Sequence, residues 1–135
     1  MTERESFRTL ISEQQHTAEA ALIRGDVGPR LEMWSHNDPV SLFGAVGVTK
    51  SGWDSLEPTF RAVAARLAGG RDVSYDIVTF DVSGDMAWTA GVARFITSMD
   101  GGPMARYTLR LTHIYRREAG TWKVAHEHSD FQPNE

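Results

Sequence analysis

The stretch RYTLRLTHIYRREAGTWKVAHEHSD, from Arg106 to Asp130, decides the fold. It reads as two long strands, Arg106–Arg117 and Thr121–Ser129, joined by the tight turn Glu118-Ala119-Gly120. In the second strand Trp122, Val124, His126, His128 and Asp130 fall at period-two spacing. The expectation is that all five face one side of a sheet. Apolar residues lead, and two imidazoles and a carboxylate follow, as where a sheet face passes from core to pocket wall.

Working outward, Asp72–Val82 and Asp85–Met99 have the same strand character. Ser83-Gly84 and Asp100-Gly101-Gly102-Pro103 separate them from their neighbours, and connections this short imply an antiparallel meander. Ahead of the strands lies helical periodicity. Glu3 to Arg24 carries Phe7, Leu10, Ile11, Ala18, Ala21 and Leu22 in one stripe, with Gln14 inside it and His16 opposite. Arg24-Gly25-Asp26 ends that helix, and Pro29 to Trp34 forms a short second one. After a turn at His36-Asn37-Asp38-Pro39, Val40–Phe43 reads as a short strand, reversed at Gly44–Gly47 into Val48-Thr49. A third helix follows Gly52, with a capping box at Asp54 and Glu57. Its buried stripe runs through Trp53, Leu56, Phe60, Val63, Ala64 and Leu67, and Gly69-Gly70 stops it. Helices first and strands last give an α+β fold, one domain over residues 1–135, with helices on one face of a curved sheet.

Composition narrows the chemistry. The 135 residues carry a formal charge of −4 and no cysteine, which excludes disulfides, thiolate metal sites and a cysteine nucleophile. No basic run suggests a nucleic-acid partner, and no apolar run approaches a membrane span. The first residues show no basic-then-apolar signal, so a cytoplasmic protein is expected. A metal edge at His126 and His128 would need His113, whose parity on the preceding strand is opposite, so neither metal nor cofactor is expected. Apolar residues on both sheet faces need two covers. The helices supply one, and a homodimer through the outer sheet face is the simplest second.

Arg24-Gly25-Asp26, Met33-Trp34, Asn37-Asp38 and above all the run Arg116–Ser129 resemble the nuclear transport factor 2-like superfamily. Its members include ketosteroid isomerases, SnoaL-like polyketide cyclases and the association domain of calcium/calmodulin-dependent kinase II. The resemblance implies a cystatin-like cone: a curved antiparallel sheet with N-terminal helices on its concave face, a small-molecule pocket at the open end, and a dimer. The isomerase's oxyanion tyrosine, proton-shuttling aspartate and second oxyanion donor would fall on Ala18, Leu42 and Thr112. That apparatus is therefore missing. The same geometry implies a pocket wall containing Trp34, Leu42, Arg94, Arg110, Thr112, His126, His128 and Asp130, with Arg94 matching a carboxylate-binding arginine of the kinase domain.

Two functions fit these residues. One is a small-molecule-binding domain with no chemistry of its own, its ligand bound through Trp34, Leu42, Arg94, Arg110 and Thr112 and bearing an anionic group. An inward arginine must otherwise pair with Asp130, Glu127 or Asp38, because desolvating a guanidinium is costly. The other is an acid/base enzyme (isomerase, cyclase, dehydratase or hydrolase) with His126 or His128 as base and Asp130 orienting it. The two imidazoles stand about 6.5–7 Å apart along the strand, and histidine titrates near neutrality.

Overall fold

The computed structural model describes residues 1–133 and contains three helices and six strands. They are α1 (Glu3–Leu22), α2 (Gly28–Met33), β1 (Ser41–Phe43), β2 (Thr49–Ser51), α3 (Trp53–Ala65), β3 (Leu67–Ser83), β4 (Met86–Met99), β5 (Met104–Glu118) and β6 (Thr121–Gln132). One sheet runs in the order β2-β1-β6-β5-β4-β3. The meander from β3 to β6 is antiparallel, as the short turns require. β1 departs from that rule by joining β6 in parallel. The sheet curves and stays unclosed, and the helices cover its inner face. Among the described residues no helix is long and apolar enough to cross a membrane.

The helix α1 buries Phe7, Ile11, Gln15, Ala18, Glu19 and Ala21. Its stripe is therefore rotated from the expected one: Leu10 faces solvent, and Gln15, not Gln14, lies against the sheet. Helix α3 has no capping box, since Gly52 is its N-cap with no side-chain bond there. Instead Asp38 Oδ1 accepts the Trp53 N–H at 2.9 Å, so the turn aspartate caps a helix fifteen residues away in sequence. Strand β3 begins at Leu67, ahead of the glycines expected to separate helix from strand. Gly70 serves a close approach: its N–H donates to Ile23 O at 3.0 Å, and a Cβ there would sit 2.3 Å from Ile23 Cγ1.

The interior divides into two apolar clusters. The larger joins Phe7, Ile11, Trp34, Phe60, Phe80, Tyr115 and Trp122 between the helices and the closed end of the sheet. The smaller gathers Ile23, Ala93, Phe95 and Leu111 toward the open end.

One irregularity sets the side-chain directions of the last strand. Ile114 pairs with His126 but Tyr115 pairs with Val124, so Ala125 is a β-bulge with no partner on β5. An extra residue reverses the alternation beyond it. Trp122 and Val124 face the core; past the bulge Glu127 and Ser129 are buried, and His128 and Asp130 are exposed. The expected single face of Trp122, Val124, His126, His128 and Asp130 is therefore split, with its polar half on the outer side of the sheet.

Candidate functional site: an apolar cavity on a buried charge cluster

A cavity of about 80 Å³ opens between α1, α3, the β1–β2 loop and the inner face of β4 to β6. Leu22 and Ile23 at the end of α1, Phe60 and Val63 of α3, Phe95 of β4, and Leu109 of β5 supply its apolar wall. The bulge turns Phe131 and Ser129 into the same space. Gly44, Ala45, Val46 and Val48 close its side, and the Ala45 N–H donates to Ser129 Oγ at 3.0 Å.

Charged groups form the floor. Glu19, Arg30 and Glu127 all line the cavity and all are at least 95 % buried, at 1 %, 3 % and 5 % exposure. Arg30 donates to Glu127 Oε1 at 3.1 Å and, through its second terminal nitrogen, to Glu19 Oε1. Gln15 Nε2 donates to the same Glu19 oxygen at 3.1 Å, and His113 Nε2 donates to Glu127 Oε1 at 2.8 Å. Ser129 Oγ completes the set on Glu127 Oε2 at 3.3 Å. Each member comes from a different position in the chain: one turn of α1, the start of α2, and facing residues of β5 and β6 (His113 opposite Glu127). A buried ion loses several kcal/mol of hydration. This cluster persists because each charge meets an opposite one, although Arg30 Nε, His113 Nδ1 and Gln15 Oε1 are sealed without a partner.

Burial drives the Glu127 carboxyl upward, but the His113 hydrogen bond and charge, Arg30 and Ser129 outweigh it and bring it to about 2. Arg30 is pulled down by burial and raised more by Glu19 and Glu127, so it stays charged. Beside the cluster, burial pushes the Tyr75 phenol up to about 12 and the Tyr115 phenol higher still. Both remain neutral at physiological pH, and neither hydroxyl has a partner among the described residues. On the floor itself, Arg30 and Glu127 are thus held as fixed ions. Among the described residues no group of three histidines or acids is placed to hold a metal ion.

The expected site residues separate into two groups. Leu42 is buried and lines the cavity. Trp34 is buried beside it, packed on Phe60 at a ring separation of 5.0 Å, one layer behind the wall. The others stand on the outer face. Arg94 pairs with Asp76 at 3.6 Å, and Arg110 forms a two-bond ion pair with Asp130 at 2.7 and 2.6 Å. Thr112 and His128 are paired neighbours there, bordering a shallow hollow with Arg110 and Asp130. His126 sits half-buried with Nδ1 2.7 Å from Ser41 Oγ and its ring edge-on to Phe43; burial lowers its pKa. The arginines are on this side by ordinary alternation, since their strand neighbours Ala93, Phe95 and Leu111 are buried. The histidines and Asp130 are there because of the bulge. The residues that sequence reasoning missed are Glu19, Arg30, His113 and Ser129, together with the cavity role of Glu127. A signal existed for Glu19: with Ile11, Gln15 and Leu22 it repeats at helical spacing on one face.

Residues 15–132 match the family model described as a SnoaL-like domain. No curated protein sequence matches the chain. Among solved structures, a ketosteroid isomerase-like protein from Erwinia carotovora atroseptica superposes with a TM-score of 0.75 at 17 % identity, covering 93 % of this chain and 96 % of that one. A nuclear transport factor 2-like superfamily protein from Salmonella enterica serovar Typhimurium gives 0.74 at 14 % identity, over 96 % and 94 %. A protein with a cystatin-like fold from Caulobacter vibrioides gives 0.65 at 18 % identity, over 96 % and 89 %. At these identities the structural likenesses establish the fold.

Proposed function

Because the chain belongs to the SnoaL-like domain family, we propose that it is a small-molecule-binding domain whose ligand occupies the cavity between the helices and the curved sheet. The observation that carries this reading is the pairing of an apolar wall with a buried floor of ion-paired Glu19, Arg30 and Glu127 in one cavity. A domain filling its core for stability alone gains nothing from three desolvated charges beside unfilled volume. Small-molecule sites combine these features: mostly apolar lining and a few fixed polar groups. The test is a ligand-observed NMR screen of small apolar fragments against the protein and a Leu109→Trp variant that fills the cavity. Fragments that bind the parent and not the variant are expected. Equal binding to both, or none to the parent, would reject the reading.

Acid/base catalysis is the second reading, favoured by the two carboxylates that border the cavity. It would run through Glu19 or Glu127 instead of His126, His128 and Asp130, which face away from it. A His126→Ala variant that abolished turnover of a cavity-bound substrate would restore the imidazole to that role.

The outer face is assigned to a homodimer. Val78, Met86, Trp88, Ile114 and Phe43 are all more than a third exposed, at 70, 48, 43, 37 and 42 %. A sheet face this apolar is covered in a stable assembly. Arg94, Arg110, Thr112, His126, His128 and Asp130 then become interface residues. Sedimentation velocity should find a dimer that Trp88→Asp dissociates, and a monomeric parent would remove the assignment.

A further inference from the structure

We infer that the cavity receives its ligand by a hydrogen-bond-donating head group, an ammonium or a hydroxyl, on Glu19 Oε2, and that it discriminates against carboxylates. This rests on the cavity being the binding site.

The inference follows from which valences are already used. Two arginines line the cavity, and neither has charge to spare. Arg66, at the mouth, forms two 2.8 Å hydrogen bonds to Asp100. Arg30, at the floor, divides its terminal nitrogens between Glu127 and Glu19, and its Nε is sealed from solvent with no acceptor. An anionic head would find no free cation and would face two carboxylates held in low dielectric.

The acceptors tell the opposite story. Glu127 receives His113 and Arg30 on Oε1 and Ser129 on Oε2. The Ser129 hydroxyl accepts the Ala45 N–H while it donates to Glu127. Glu19 receives both of its donors, Gln15 and Arg30, on Oε1. Its Oε2 accepts no hydrogen bond among the described residues, although the side chain is 99 % buried and borders the cavity. Unlike Arg30 Nε, this oxygen is not sealed from solvent, so it can take a donor from a ligand in the cavity in place of water. The matching molecule is a small amphiphile with a donor head on Glu19 and an alkyl or aromatic body among Leu22, Ile23, Phe60, Phe95, Leu109 and Phe131. The cavity volume of about 80 Å³ holds only a short body, with any longer group leaving by the mouth beside Arg66.

The test uses three probes that share one tail: n-hexylamine, 1-hexanol and hexanoate. Each is titrated into the ¹⁵N-labelled full chain at neutral pH and 150 mM salt. The amine or the alcohol should bind at least about tenfold more tightly than hexanoate, the difference a charge-assisted hydrogen bond supplies. An amine ahead of the alcohol identifies an ammonium site, and the reverse order a hydroxyl site. Glu19→Gln should weaken the amine about tenfold and the alcohol less, because the amide oxygen still accepts. Hexanoate binding as well as the others would overturn the donor-head inference and leave the cavity reading standing. Failure of all three to bind, or identical binding to Leu109→Trp, would overturn both. Should Glu19→Gln unfold, the ranking of the three probes on the parent protein decides alone.

Discussion

Arg30→Met tests the charge cluster most directly. Methionine retains the apolar stem and removes the one permanent cation between Glu19 and Glu127, both buried and both engaged by that guanidinium. The variant is left with two carboxylates in the interior and one fewer counter-charge. Removing one partner from a buried ion pair costs roughly 3–5 kcal/mol. Against a folding stability of about 0.05–0.15 kcal/mol per residue, the domain should still fold, with a loss in Tm of about 10–20 °C. Urea unfolding at neutral pH measures the loss. The cause is checked by a cycle in which Glu19→Gln is added to Arg30→Met. If stranded charge is the source, the double variant should be more stable than the arginine variant alone, because it holds one fewer unpaired anion. A loss below about 1 kcal/mol for Arg30→Met, or a double variant equal to the sum of the singles, would refute the account.

Glu127 sets an acid limit. Its folded-state carboxyl is near 2 against an ordinary 4.5, so its contribution is complete above 4.5 and is lost as pH falls through 2. That contribution is about 3 kcal/mol. Stability–pH curves of Glu127→Gln should be flatter than the parent's below pH 4.5, and parallel curves would reject the depressed value. Gly70→Ala should cost about 1–3 kcal/mol by overpacking, since its Cβ would collide with Ile23 Cγ1, Cβ and O. A variant that melts with the parent would show that the contact relaxes. Deleting Ala125 should leave the fold in place, judged by circular dichroism, because a regular β6 running from Val124 directly to His126 keeps Trp122, Glu127, Ser129 and Phe131 on the inner side. Loss of the native spectrum in the deletion variant would show that β6 needs the extra residue for more than the direction of its side chains.

The architecture was legible because it rests on long periodic runs and short turns: four long strands ending in Thr121–Gln132, and a reversal at Gly44–Gly47 that does produce β1 and β2. The site was less so. Alternation along β6 is a local rule, and the bulge at Ala125 depends on how β5 and the Trp34–Ser35 segment meet Val124. Ala125 itself carries no sequence mark of irregularity. The arginine chosen for a buried role was also misplaced: Arg94 and Arg110 lie in strands, where alternation places them outside, while Arg30 in a six-residue helix is the buried one. Short helices give too few turns for a stripe to be read. Gln15 and Glu19 were readable in principle, since both sit on the buried face of α1, but a polar pair there looks like a break in the pattern until its partner Arg30 from α2 is known.

The phase change at Ala125 also bears on how such a chain can vary. Without it, alternate residues along the end of β6 would keep the parity begun by Trp122 and Val124. With it, positions 127, 129 and 131 address the interior while 126, 128 and 130 address the exterior, and substitutions in one set leave the other's chemistry in place. Six consecutive residues therefore hold two separable adaptive surfaces, so that ligand preference and outer-surface properties can drift independently.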